Sequence, residues 1–363
     1  MLEKNKFKNK NKLINKHVHI INTHGIGDII MMIPLIKAIY AKRPDKISIT
    51  LKGKSESQIL ELFLPHYLLS FIFIEKHKIY KTPIIQFFSY IKELRALKPD
   101  IFFSAFGMHK ELSAIVSFFS GAKFKIGWKN KLDFFYNLPI EQLPEKHKIY
   151  QHLHLIDSVY FMKHKPDKNI FIPDPAILKE MKVLLNINDN KEKEKIIIIS
   201  PGGGPVELHK RWPYEKYANL IVKLMNLKNV KIIITGSKME IDLEKKILSS
   251  IKINKNNKII SLFGSLSIKE LVHAIFLSDL VICNCNGISH ISAFLNKKII
   301  GLYGPTDPLF TGAFSKNLSV ISTNEKCSPC YKRGFIKGCK SPKCMKQISE
   351  LTVFNEVLNK LCF

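Results

Sequence analysis

Short apolar runs recur along the chain, each closed by a polar or glycine-bearing turn, and most are followed by a longer amphipathic stretch. His17 to Asn22 reads as a strand. The turn His24-Gly25-Ile26-Gly27-Asp28 then leads into a predicted helix from Ile29 to Lys42, shaped by Pro34. Ile47 to Leu51 and Leu68 to Ile74 read as strands, Ile84 to Leu97 as a helix and Asp100 to Ser104 as a strand. Lys110 to Phe119 reads as a helix ending at Gly121. Strands alternating with helices in this way predict a parallel sheet covered on both faces.

Lys163 to Lys195 changes character, being rich in Pro, Asp, Asn and Lys, with one predicted helix from Pro175 to Leu185. A domain boundary is placed there, giving an N-terminal domain over 1–167 and a C-terminal domain over 168–363. The second series opens with Ile196 to Ser200, a nearly continuous apolar run of the kind a central parallel strand needs. Pro201-Gly202-Gly203-Gly204 follows, then a helix from Pro213 with Tyr217, Leu220, Ile221 and Leu224 as its buried stripe. Val230 to Thr235, Ile259 to Leu262, Leu280 to Cys285 and Lys298 to Tyr303 are predicted strands. Asp242 to Ser250, Ile268 to Leu277 and Ile288 to Leu295 are predicted helices, and a last helix closes the chain. The architecture repeats without any repeat of sequence.

The length of 363 residues suits two domains at ~150 residues each. A formal charge of +27 points to anionic partners: nucleic acid, an acidic membrane surface or a phosphorylated substrate. The lysines are spread along the whole chain, however, as a compositional bias toward Lys, Ile and Asn would also leave them. Met1 to Lys16 is a basic polar tail, expected to fray. The apolar stretch after it is broken by His17, His19, His24, Gly25, Gly27 and Asp28, and no small-residue cleavage site follows, so it does not read as an export signal. Runs of about 18 uncharged apolar residues are absent, so no transmembrane helix is expected. All seven cysteines fall in the last quarter, unlike the even stapling of a secreted scaffold, which favours a reducing, cytoplasmic compartment.

Ligands of open parallel sheets bind beyond the carboxyl ends of the strands. In the second domain this singles out the segments 201–212, 235–238, 284–290 and 303–308. Lys210 and Arg211 beside a glycine loop make either a diphosphate site or an ordinary solvated helix start. Asn286-Gly287 reads as a nucleotide- or sugar-binding loop or as a tight turn, and His290 as part of that loop or as a packed helix residue. In the first domain, Asp28 is either the N-cap of the next helix or a base that takes a proton from a hydroxyl nucleophile. His109 and Lys110, at a helix start, are placed to touch acceptor phosphates or simply to face solvent. No phosphate loop, complete dinucleotide fingerprint or His-Glu-x-x-His occurs. Cys327, Cys330, Cys339 and Cys344 form a C-x2-C-x8-C-x4-C pattern, suited to a structural zinc or to free or partly oxidised thiols.

Four blocks, in order, resemble family nine of the glycosyltransferases, the ADP-heptose:lipopolysaccharide heptosyltransferases. They are Gly27-Asp28-Ile29-Ile30-Met31-Met32-Ile33-Pro34-Leu35; Pro201-Gly202-Gly203 with Lys210-Arg211-Trp212-Pro213; Asn284-x-x-Gly287-x-x-His290; and Leu302-Tyr303-Gly304-Pro305-Thr306-Asp307-Pro308. Weaker similarity, such as Phe124 to Trp128, extends the likeness across most of the chain. The resemblance implies an α/β fold of the GT-B type, two Rossmann-like domains facing each other across a cleft, and an inverting transfer that needs no metal. It implies Asp28 as general base, with Gly27 beside it. It also implies Lys210 on the donor phosphates, with Gly202, Gly203, Asn286, Gly287 and His290 around the donor and Gly236-Ser237 near the nucleoside. The implied partners are an ADP-sugar, expected to be ADP-heptose, and an anionic lipopolysaccharide-type acceptor reached by peripheral contact with the inner face of the inner membrane.

One departure bears on the donor. The family usually has Asp where this chain has Cys285, and Ser or Thr where it has Asn286. A thiol supplies neither the charge nor the two acceptor oxygens. A transferase using another nucleotide sugar for a surface glycan therefore stays open, as does a non-catalytic basic protein that binds glycan or nucleic acid. Nucleic acid is not an expected partner, since no aromatic-interleaved basic motif or known binding module is present.

Overall fold

The computed structural model describes residues 13–65, 67, 69–74, 84–166, 171–187, 194–204, 207–251, 258–331, 339 and 341–362. The chain divides into two compact units, Met1–Asn169 and Ile170–Phe363.

The first unit carries strands β1 (His17–Ile21), β2 (Lys46–Leu51), β3 (Leu69–Phe73), β4 (Ile101–Ser104), β5 (Phe124–Trp128) and β6 (Leu138–Ile140), all parallel, in the order β3-β2-β1-β4-β5-β6. The second carries β7 (Lys195–Ser200), β8 (Val230–Ile234), β9 (Ile259–Ser261), β10 (Leu280–Asn284), β11 (Lys298–Leu302) and β12 (Leu318–Ile321), also parallel, in the order β12-β11-β10-β7-β8-β9. Both sheets follow the same doubly wound order. In each, the strand order reverses beside the first strand, so the loops leaving β1 and β4, and those leaving β7 and β10, meet at a switch point.

The central strands are apolar because both faces are covered. Ile197, Ile198, Ile199, Ile232, Ile233 and Ile234 are fully buried, and Trp212, Tyr217, Leu220 and Ile221 share a core with Ile197, Ile199, Ile232 and Ile234. Each such side chain contributes about 1.5–3 kcal/mol by leaving water. β1 also buries two histidines. His17 Nε2 and His19 Nδ1 meet Ser48 Oγ at 2.8 and 2.7 Å, and His19 Nε2 meets Thr50 Oγ1 at 3.0 Å. Their polar atoms are thereby satisfied inside the sheet's cover.

Three differences from the sequence reading concern elements that carry the site. The helix after β1 runs Ile26–Tyr40, straight through Pro34, and its N-cap is Gly25. Asp28 therefore lies inside the first turn and is not the cap. The helix Lys148–Tyr160, capped by His147 Nδ1 accepting from the Ile149 N–H at 3.2 Å, has no counterpart among the predicted elements. Pro213, expected as a first helical residue, is the N-cap of the helix Tyr214–Met225. Among the described residues, no helix is long and apolar enough to cross a membrane.

Candidate active site

In the first unit the loops leaving β1 and β4 lock together. Gly107 has φ +121°, and a Cβ there would stand 2.4 Å from the Thr23 nitrogen and 2.7 Å from Asn22 Oδ1. Thr23 Oγ1 donates to the Gly107 carbonyl at 2.7 Å. Only glycine meets both demands. The lock fixes the turn from which the helix Ile26–Tyr40 starts, and with it Gly27 and Asp28.

The Asp28 carboxylate is held on both oxygens. Lys148, at the start of its own helix, donates to Oδ1, and His24 Nδ1 lies 3.5 Å from Oδ2. The Lys148 side chain is 13% exposed and that of Asp28 24%, so this pair is only partly screened by water. Burial pushes the Asp28 carboxyl up, but Lys148 and His24 outweigh it and hold the group well below the usual carboxylate range. Phe106, from the Gly107 loop, stacks on Trp128 at 4.9 Å and lies 5.3 Å beneath Lys148 Nζ. His152, one turn after Lys148, is fully buried edge-on to Phe106 at 5.0 Å, and among the described residues neither ring nitrogen has a hydrogen-bond partner. Burial, and then the Lys148 charge, push its pKa down to about 3, so the imidazole is neutral. His109 and Lys110 make separate contacts. His109 is 80% exposed with Nδ1 2.8 Å from Glu111 Oε2, and Lys110 donates to Gln142 Oε1 at 2.8 Å. The surface reading describes His109.

In the second unit the loops after β7, β8 and β10 are tied by two side chains. Glu240 is buried, and its Oε1 accepts from the Gly203 and Gly204 N–H groups at 3.0 and 3.2 Å and from Arg211 Nη2 at 3.0 Å. Its Oε2 accepts from Ser237 N and Oγ at 3.0 and 2.8 Å. A Cβ on Gly202 would come within 2.2 Å of Glu240 Oε1, so the loop's glycine answers to this carboxylate. Of the residues expected around the donor, Gly203 gives its N–H to Glu240, and Ser237 gives its side-chain hydroxyl to the same carboxylate. Gly236 leads directly into that turn. Asn284, fully buried, accepts from the Trp212 N–H at 3.2 Å and Tyr217 Oη at 2.9 Å, and donates to the Pro201 and Gly202 carbonyls at 2.7 and 3.1 Å.

Asn286 caps the helix Gly287–Phe294, its Oδ1 accepting from Ile288 and Ser289 N–H at 3.0 and 3.3 Å, while its Nδ2 donates to Ser200 Oγ and the Gly202 carbonyl at 3.2 and 3.1 Å. Its amide therefore builds the loop on which Gly287 stands. His290 is buried in that helix, as the packed reading has it. Cys285 is buried at the end of β10.

Lys210 is neither solvated nor open. It is 7% exposed, its Nζ donates to Glu207 Oε1 at 2.5 Å, and it lies 4.1 Å from the centre of the Tyr331 ring. Tyr331 Oη also donates to Glu207 Oε1, at 3.0 Å. The start of the cysteine-rich segment delivers this tyrosine: Ser328 Oγ donates to the Gly304 carbonyl at 2.5 Å and the Tyr331 N–H to the Pro305 carbonyl at 2.7 Å.

The four cysteines expected to hold zinc differ in burial. Cys344 is buried, Cys330 partly so, and Cys327 and Cys339 are exposed; all are free thiols. Among the described residues, no three His, Cys, Asp or Glu side chains are grouped to hold a metal ion. The intervening residues 332–338 and 340 lie outside the described residues. Burial pushes the Cys330 and Cys344 thiols up, and the neighbouring thiols of the same set push in the same direction, Cys327 and Cys339 on Cys330, and Cys330, Cys327 and Cys339 on Cys344.

Lys148, Glu240 and Tyr331 were not singled out by sequence. Each acts on a residue distant in the chain, and none sits in a recognisable local pattern.

Comparison with known proteins gives these sites a setting. The chain is 24% identical over 221 residues to lipopolysaccharide heptosyltransferase 2 of Escherichia coli (strain K12), covering 58% of this chain and 61% of that one. The chain thus spans less than two thirds of that relative's length in the alignment. The structure of the E. coli ADP-heptose lps heptosyltransferase II superposes with a TM-score of 0.74 at 18% identity, covering 95% of this chain and 98% of the other. A glycosyl transferase family 9 structure from Veillonella parvula DSM 2008 gives 0.76 at 16% identity, covering 97% and 98%. The fold is therefore that of the GT-B heptosyltransferases. The description of glycosyltransferase family 9 (heptosyltransferase) matches residues 87–340, more than half of the chain, and the chain belongs to that family.

Proposed function

We propose that the protein is an inverting glycosyltransferase that moves heptose from ADP-heptose to a lipopolysaccharide core acceptor. Family membership and the E. coli relative named for ADP-heptose and lps support the substrate class. The observation that carries the mechanism is the Asp28 carboxylate, kept ionised by Lys148 and His24 in the first turn after β1.

In this reading an acceptor hydroxyl oxygen attacks the anomeric carbon of the donor. The bond from that carbon to the diphosphate oxygen breaks, ADP leaves, and the hydroxyl proton passes to Asp28. A carboxylate held so low is a weak base, so it takes the proton late, when bond formation has already made the hydroxyl acidic. The departing diphosphate needs positive charge. Lys210 is the cation on the β7 loop, and it serves once phosphate competes with Glu207 for its ammonium.

Cys285 favours one second reading, a transferase of the same fold that uses another nucleotide sugar, because a buried thiol stands where the family usually has an aspartate. The mass of the lipopolysaccharide oligosaccharide from the source organism, with and without the gene, separates the two. Loss of heptose supports the first reading, and loss beginning at another sugar supports the second. An unchanged mass removes the lipopolysaccharide acceptor and points to another glycan or to a protein without transfer activity.

A further inference from the structure

The first unit carries a continuous set of aromatic contacts that begins at the edge of its core, where Phe87 packs, and runs out to exposed rings. Phe88 and Phe87, on the helix Ile84–Ala96, meet Phe119 at 6.4 and 6.2 Å between ring centres. Phe119 meets Phe118 at 5.3 Å, Phe118 meets Phe135 at 4.6 Å, and Phe135 meets Phe134 at 4.5 Å. Six rings from three elements thus form one chain of contacts. Phe88, Phe118 and Phe134 are 52%, 51% and 70% exposed, and Ile85, one turn before Phe88, is 78% exposed. Single exposed apolar residues are ordinary, whereas a contiguous run marks a contact surface.

The charge beside this surface indicates its partner. A groove lined by Arg95, Lys98, Ser120, Gly121 and Lys123 follows directly on Phe118-Phe119. Arg95 shares the exposed helix face with Phe88 and Lys92, and its Nε would lie 3.9 Å from a Cβ on Gly121. Arg95, Lys98 and Lys123 are exposed and form no ion pair with a described residue. The one carboxylate in the groove, Asp100, is already engaged: it accepts from the His17 N–H at 3.0 Å and lies 4.0 Å from Lys16 Nζ. Exposed rings beside uncompensated cations match a bilayer surface, with apolar groups for the acyl boundary and ammonium and guanidinium groups for lipid phosphates. A net charge of +27 adds long-range attraction to an anionic surface.

We propose that the surface formed by Phe87, Phe88, Phe118, Phe119, Phe134 and Phe135, with Arg95, Lys98 and Lys123, docks the protein on an anionic phospholipid bilayer. Docking deepens the transferase reading, since an amphiphilic acceptor is presented at such a surface, but it is tested without any sugar. The full chain is mixed with vesicles of phosphatidylcholine alone or with added phosphatidylglycerol, and bound protein is measured by flotation. Binding to the anionic vesicles that falls steeply with salt is expected. The triple variant Phe88→Ser, Phe118→Ser, Phe134→Ser changes only exposed rings and is expected to bind about tenfold more weakly or worse. The triple variant Arg95→Gln, Lys98→Asn, Lys123→Gln is expected to lose about a hundredfold and the preference for phosphatidylglycerol. Asn is chosen at Lys98 because φ there is +50°. Both variants are expected to keep the parent's melting temperature and its transfer to a soluble acceptor. Parent-like flotation of either variant would overturn the proposal. So would a concentration-dependent dimer dissolved by the phenylalanine variant with no vesicle binding by the parent, because the rings would then cover a second copy of the chain.

Discussion

Lys148 reaches Asp28 across 120 residues of sequence, from the start of one helix to the first turn of another. The contact joins the residue with the strongest functional resemblance to one that no local pattern marks. It makes the ionisation of Asp28 depend on a second element and gives the proposed base a measurable signature.

Removing the Lys148 charge should show in the pH dependence of transfer. Lys148 lowers the carboxyl's pKa, so without it Asp28 accepts a proton at a higher pH. The acid limb of the kcat/KM profile of Lys148→Met should therefore move to higher pH, and Lys148→Arg should move it back toward the parent. A limb that stays in place while activity simply drops would assign Lys148 a structural role only.

The stability of the chain should fall on mild acidification. His19 is fully buried, and burial, then His17, push its pKa down to about 3, while His152 is pushed to about 3 by burial and Lys148. Both titrate near 6.5 when unfolded. Below that value the unfolded chain takes up protons that the folded chain refuses, so stability drops by about 1.4 kcal/mol per pH unit for each histidine as pH falls from 6.5 toward 3. His17 adds to the loss in the same direction. Urea unfolding at pH 7 and pH 5 checks this. His152→Met should lose about 2 kcal/mol less than the parent over that interval. Because it also removes two unpartnered nitrogens, it should cost little at pH 7. An equal loss in parent and variant would contradict the assignment for His152.

Glu240 should be a keystone of the second unit. Its two oxygens take the N–H groups of Gly203, Gly204 and Ser237, the Ser237 hydroxyl and Arg211. Glu240→Ala leaves these donors buried without the acceptor and should cost about 2–4 kcal/mol. Denaturant unfolding gives the number, and calorimetry with ADP should show weaker binding. An unchanged midpoint together with unchanged ADP affinity would show that the loops hold themselves.

The elements that sequence reveals most clearly are those with a local cause. Ile196 to Ser200 is apolar because a central parallel strand is buried on both faces. The turns at Gly202 and Gly236 mark the ends of strands because a Cβ there would run into Glu240 and Phe263. The helix Lys148–Tyr160 hides because Ile, Tyr, Val and two histidines give it weak helical propensity, and packing decides it instead. The cap alternative for Asp28 fails because Gly25, which has no side chain to signal its role, starts the helix earlier. Lys210 is visible as a cation beside a glycine loop, but Glu207 and Tyr331 decide its state, and Tyr331 lies far along the chain in the cysteine-rich segment. The spacing of the four cysteines does not reveal their different burial.

The most direct test of the central claim is transfer by the purified protein. ADP-heptose and lipopolysaccharide core oligosaccharide lacking the target heptose are incubated with the parent or with Asp28→Asn, and product is followed by mass. The account predicts that the parent adds one heptose. It predicts that Asp28→Asn binds ADP as the parent does but turns over about 10²–10⁴-fold more slowly. No heptose addition by the parent, or parent-like turnover by Asp28→Asn, would contradict it.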